Sequence, residues 1–90
     1  MSMARFPSEA NLTALEALVV HDESDANRLQ ALRALLASLA LSEEPGASTA
    51  NILAFLRTDG ATIASHIEQD AGIASLRHEA RLLQYEIANL

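Results

Sequence analysis

Apolar residues recur along this chain at steps of three and four. Leu29, Leu32, Leu36 and Leu39 follow one another at 3, 4, 3; Leu76, Ala80, Leu83, Ile87 and Leu90 at 4, 3, 4, 3. Such steps bring every named side chain to one side of an α-helix, and that side has to be hidden against another helix. Shorter runs repeat the pattern at Leu12, Leu15, Leu18 and Val19, at Ile52, Leu53, Phe55 and Leu56, and at Ile63 and Ile67. No stretch alternates with period two over more than a few residues, so no strand is predicted. The expected fold is all-α, a compact bundle of four to five short amphipathic helices.

Polar punctuation divides these runs. Ser8 can cap a first helix, which ends near Val20 at the acidic link His21-Asp22-Glu23-Ser24-Asp25. Asp22 or Ser24 caps a second helix reaching about Leu41, with Arg28, Gln30, Arg33 and Ser38 on its outward side. Ser42-Glu43-Glu44-Pro45-Gly46 is the strongest break in the chain, since Pro45 restricts its predecessor and Gly46 permits a turn. Ser48 can cap a third helix closed by Asp59-Gly60, Thr62 can open a short fourth that fades at Ala71-Gly72, and Ser75 can cap the last. The helices at 24–41 and 75–89 are expected to be the longest. Residues 1–90 form one domain in this reading, with 1–7 a flexible tail.

Composition narrows the core and the partners. Half of the 90 residues are apolar, but Phe6, Phe55 and Tyr85 are the only aromatics, so Leu, Ile and Ala must build the interior. A chain of this size buries roughly 60–65% of its unfolded surface, which favours self-association or docking to a partner. No cysteine is present, which excludes disulfides and thiolate metal sites. The six basic residues are all arginine, a bias that codon usage explains. A net charge of −6 disfavours nucleic acid and anionic membranes, both of which need clustered positive charge. No apolar run approaches 18 residues, and Met1-Ser2-Met3-Ala4-Arg5-Phe6-Pro7 lacks the apolar region of a secretion signal. Cytoplasmic residence is expected.

Few constellations could carry chemistry. The three glycines, at 46, 60 and 72, are isolated and form no phosphate loop; there is no cysteine nucleophile and no Gly-x-Ser-x-Gly elbow. No enzyme activity and no cofactor are expected. His66 and Asp70 share a helix face, yet two ligands are half of a metal site, so no metal is expected either. His66 also raises the acceptor of a histidine phosphotransfer module. Those modules carry a lysine and a glycine at the positions held here by Gln69 and Asp70, and a carboxylate there opposes phosphate. The break at Asp59-Gly60 gives helix-turn-helix spacing, with Ala61–Ala71 in the place of a recognition helix. From Thr58 to Ser75, however, there are three acids and no arginine, a surface that repels phosphate.

Protein–protein association has positive support. The last helix carries its apolar stripe between Arg77, His78, Glu79, Arg81, Gln84 and Glu86, and balanced charge beside an apolar seam suits a helix-to-helix contact. Tyr85, with ring area and a hydroxyl, suits the edge of one. The expected function is a small non-enzymatic interaction module (a regulator, chaperone or assembly adaptor), and the expected partner is another protein or a second copy in a homodimer. Its contact surface would be Leu76, Ala80, Leu83, Ile87 and Leu90, with Arg77, Arg81 and Tyr85 at the rim. The alternative is a DNA-binding regulator of helix-turn-helix type.

Overall fold

A computed structural model describes residues 9–41 and 46–90, and every element in them is helical. Helix α1 spans Glu9–His21, α2 Asp25–Leu41, α3 Ala47–Phe55, α4 Ala61–Asp70 and α5 Ala74–Ala88. The expected tail at 1–7, the Ser8 cap and the Ser42–Pro45 part of the central break lie outside the described residues. The helices form two antiparallel hairpins, α1 with α2 and α4 with α5, joined where α2 packs on α5. The radius of gyration is 12.8 Å, close to the ~12 Å expected of a compact chain of this length.

The link between α1 and α2 follows its sequence closely. The Ser24 amide donates to Asp22 Oδ1 at 2.8 Å, and the Asn27 amide donates to Ser24 Oγ at 3.3 Å. Both expected caps therefore act together, Asp22 closing the turn and Ser24 accepting from the first turn of α2. Ser48 and Ser75 behave differently. Each lies inside its helix, because Gly46 and Ile73 take the cap positions in extended conformation and offer no side-chain acceptor. At the start of α5, the Leu76 and Arg77 amides donate to the Ile73 carbonyl instead.

Asp59-Gly60 is not a break. Phe55, Leu56, Gly60 and Ala61 all keep right-handed helical torsions, so α3 and α4 join through a π-turn, Leu56–Gly60, into one helical path from 47 to 70. At its end the Ala61 amide donates to the Leu56 carbonyl, five residues back, the signature of one extra residue in the turn. Glycine in a helix costs about 1 kcal/mol relative to alanine, so its presence here needs a packing reason. Gly60 is buried, and a Cβ added to it would lie 3.1 Å from Leu32 Cδ2 and 3.3 Å from Leu56 Cδ2. The missing side chain lets this helical path press against α2. The 47–70 path is therefore longer than either helix expected to be longest.

The core gathers around α2. Leu29, Leu32 and Leu35 are fully buried there, together with Val19 of α1, Ile52 of α3, Leu56 of the π-turn and Leu83 of α5. Leu36 and Leu39, expected in the inward stripe, are half-buried at its edge, and Leu35 takes their place. Covered by α1 on one side and by α3 and α5 on others, α2 buries a broader face than a single stripe. Ser38, expected to face outward, is buried as a result. Its hydroxyl is satisfied within the helix by donating to the Ala34 carbonyl at 2.9 Å.

Each hairpin is tied by the same device. Arg28, early in α2, donates from Nε to the Val19 carbonyl at the end of α1 at 2.9 Å. Arg77, early in α5, donates from Nη1 to the Ala71 carbonyl just past α4 at 2.6 Å. In both, an arginine in the second helix satisfies an orphan carbonyl of the first.

Two outcomes follow for stability, both read from chemical-denaturation midpoints. Gly60→Ala changes the unfolding free energy by less than about 1 kcal/mol, because the helix-propensity gain offsets the squeeze on Leu32. Gly60→Leu costs about 2–3 kcal/mol by overpacking. Equal tolerance of both would show that the approach to α2 is loose. Arg28→Met and Arg77→Met each cost about 1–2 kcal/mol by leaving a helix-end carbonyl without its donor; a loss below about 0.3 kcal/mol would assign those bonds to the solvated surface.

Candidate functional site

The α5 stripe proposed as a contact surface faces inward. Ala80 and Leu83 are fully buried, Ile87 is 4% exposed, and Leu76 is half-buried against the same core. The i, i+3, i+4 rule found the correct face of the helix, and this chain's own α2 and α4 cover it. Arg77, placed at the rim, is the tie to Ala71 already described. Glu79 and Glu86, on the flank of the stripe, reach α2: Arg33 pairs with Glu79 at 3.4 Å and with Glu86 at 3.8 Å. These pairs are half-exposed, worth about 0–1 kcal/mol each.

The remaining candidates stay accessible. Tyr85 is 55% exposed and Leu90 41%. Arg81 donates from Nη2 to the Tyr85 hydroxyl at 3.4 Å, with its guanidinium carbon 5.9 Å from the ring centroid, a cation–π arrangement. That hydrogen bond, then the field of Tyr85 and of Glu68, hold the Arg81 guanidinium above its ordinary pKa, so it stays charged throughout the physiological range.

Beside Tyr85 lies an open hollow of about 480 Å³ between the π-turn, the start of α4 and the end of α5. Its apolar walls are Ala61, Ile87, Ala88 and Leu90, and Arg57 and Gln84 stand at its polar edges. Arg57 donates from Nη2 to the Leu90 carbonyl at 3.0 Å. Gln84 is already engaged, donating to Glu68 Oε1 at 2.6 Å. Arg57 was not among the candidates read from the sequence. The signal that could have found it is local: with Leu53, Ala54, Gly60 and Ala61 at its i±3 and i±4 positions, no carboxylate on its own helix can neutralise it.

A second surface was also missed. Leu18, expected in the apolar stripe of α1, is 41% exposed, because Leu12 and Val19 define the buried direction. Leu15, Leu18, Ala31 and Ala34 line a groove of about 350 Å³ between α1 and α2, with Asn27 and Gln30 on its rim. Along α2, Asn27, Gln30, Ala34, Ala37 and Leu41 continue this edge at steps of 3, 4, 3, 4, and all but half-buried Ala34 are exposed. On α1 the exposed Ala10, Ala14 and Ala17 lie beside Leu18. None of these side chains is charged.

His66 and Asp70 are both exposed on α4, and no group of three or more His, Cys, Asp or Glu comes together among the described residues. Gln69 donates to Ser65 Oγ rather than joining them. The helix-turn-helix spacing loses its turn, since the helix runs straight through Asp59-Gly60. No described helix is long and apolar enough to cross a membrane. No protein-family model, no curated protein and no solved structure matches this chain.

Proposed function

We propose that the chain is a small, non-enzymatic interaction module of the cytoplasm, one that self-associates through the outer face of the α1–α2 hairpin and serves as a regulator or assembly adaptor. One observation carries this reading. In a chain with 18 charged residues out of 90, the exposed side chains from Ala10 to Leu18 on α1, and from Asn27 through Ala37 to Leu41 along one edge of α2, are uncharged. Two copies of net charge −6 repel one another, and an uncharged face is where they can approach without opposing carboxylates. The ridge Ala10, Ala14, Ala17 has short side chains that allow close helix approach, and Leu18 beside the groove supplies a knob for a two-fold related partner.

The area sets the strength. A helix of this length extends about 20 Å, and two neighbouring helices present a strip about 20 Å wide, or ~400 Å² per copy. The ~800 Å² total lies below the ~1,200 Å² of a standard interface, so the dimer is weak and responds to concentration.

Light scattering on a sizing column, across about a hundredfold range of concentration, tests this directly. The mass should rise towards that of a dimer, and Leu18→Glu or Ala37→Glu should hold it at the monomer with helical circular dichroism unchanged. A monomer throughout the range overturns the reading. Leu83→Asp and Ile87→Asp behave differently, removing the helical signal because they place a carboxylate in the core. Retention of full helicity by those two variants would contradict the burial of the α5 stripe.

A further inference from the structure

We propose that ionic strength regulates the association of this chain: at low salt the carboxylates of two copies hold them apart, and screening admits each to the α1–α2 face of the other. The inference rests on the contact between copies proposed above and adds to it the regulation of that contact.

The sign of the effect follows from where the arginines go. The hairpin from Glu9 to Leu41 holds five acids, Glu9, Glu16, Asp22, Glu23 and Asp25, against two arginines. Both arginines are engaged within their own copy. Arg28 donates to the Val19 carbonyl and lies 3.5 Å from Asp25, and Arg33 is turned to Glu79 and Glu86 of α5. His21 counts as neutral in the net charge of −6. The face itself is uncharged, so no ion pair across the contact offsets the repulsion between two like-charged bodies. An interface built on salt bridges between copies weakens as salt rises, whereas this one strengthens.

The screening length sets the range over which this acts, about 30 Å at 10 mM salt and about 8 Å at 150 mM. The molecule measures 37 × 26 × 21 Å. At the lower salt the field therefore reaches across a whole copy, and at the higher only charges close to the contact are felt. A contact of ~800 Å² in total is weak enough for such a field to tip.

Sedimentation equilibrium of the full chain tests this at about 10, 150 and 500 mM sodium chloride. The dimer dissociation constant should fall about tenfold from the lowest salt to the highest. Glu23→Gln with Asp70→Asn removes two exposed carboxylates and brings the net charge from −6 to −4. That variant should associate more tightly at the lowest salt and show about half the logarithmic response. Sodium sulfate at equal ionic strength should act as chloride does; a far larger effect of sulfate would assign the response to exclusion from apolar surface and overturn the proposal. Leu18→Glu should stay monomeric at the highest salt, and its dimerisation there would place the salt-driven contact elsewhere and overturn it too. A dimer whose constant is unmoved by salt, or weakened by it, overturns this inference alone and leaves the α1–α2 contact standing. A monomer at every salt and concentration overturns both.

Discussion

The approach of Gly60 to Leu32 is the constraint on which the rest of the molecule depends. Alanine-rich helices gain little area per contact, so a core built from leucine and isoleucine has to be tight to be stable. Leu32 is fully buried because the helical path from 47 to 70 comes within van der Waals reach of α2, at a position where a larger side chain would not fit. The π-turn that ends at Gly60 shifts the phase of this path. Ile52 and Leu56 face the core on the near side of the turn, and Ala64 and Ile67 face it on the far side. One glycine and one extra residue per turn thus let a single helix follow the curve of a small core.

Arginine does most of the polar work, and its uses differ with position. Arg28 and Arg77 each reach back to a carbonyl at the end of the preceding helix, tying the two helices of each hairpin together. Arg33 links the hairpins across their outer edge through Glu79 and Glu86, a contact too exposed to contribute much. Arg57 and Arg81 are used differently: Arg57 lines the hollow at the π-turn and donates to the Leu90 main-chain oxygen, and Arg81 lies over the Tyr85 ring. A chain without lysine uses the same side chain as a helix stop and as a surface brace because the planar fork donates to a carbonyl and to a carboxylate equally well.

The elements were legible where local chemistry decides them. The start of α2 and the last turns of α1, α2, α4 and α5 fall close to where Asp22, Ser24, Ala71 and the apolar periodicity place them, since those signals act over one turn of helix. The errors occur where a distant contact overrides a local signal. Asp59-Gly60 reads as a stop from its local sequence, yet it is helical here, with Gly60 packed close to Leu32 of a distant helix. Ser38 reads as surface, yet it is buried because α2 is covered on several sides and because the Ala34 carbonyl accepts a hydrogen bond from its hydroxyl. Leu18, expected in the α1 stripe, is exposed, and Leu35 is buried where Leu36 and Leu39 were expected, for the same reason: how many neighbours a helix has cannot be read from the helix itself.

The same logic bears on where function lies. A strong heptad stripe in a chain of this size is drawn into its own core first, because folding removes the most apolar area from water at the lowest entropy cost. Leu76, Ala80, Leu83 and Ile87 meet that fate. What stays outside for a partner is necessarily less apolar: the uncharged edge of Asn27, Gln30 and Ala37, and the shallow hollow under Tyr85. In the proposed dimer the uncharged edge would give a weak, reversible contact whose selectivity comes from missing charge. In a small helical protein, then, the conspicuous apolar pattern locates the core, and the interface is better sought where charge departs from the average of the chain.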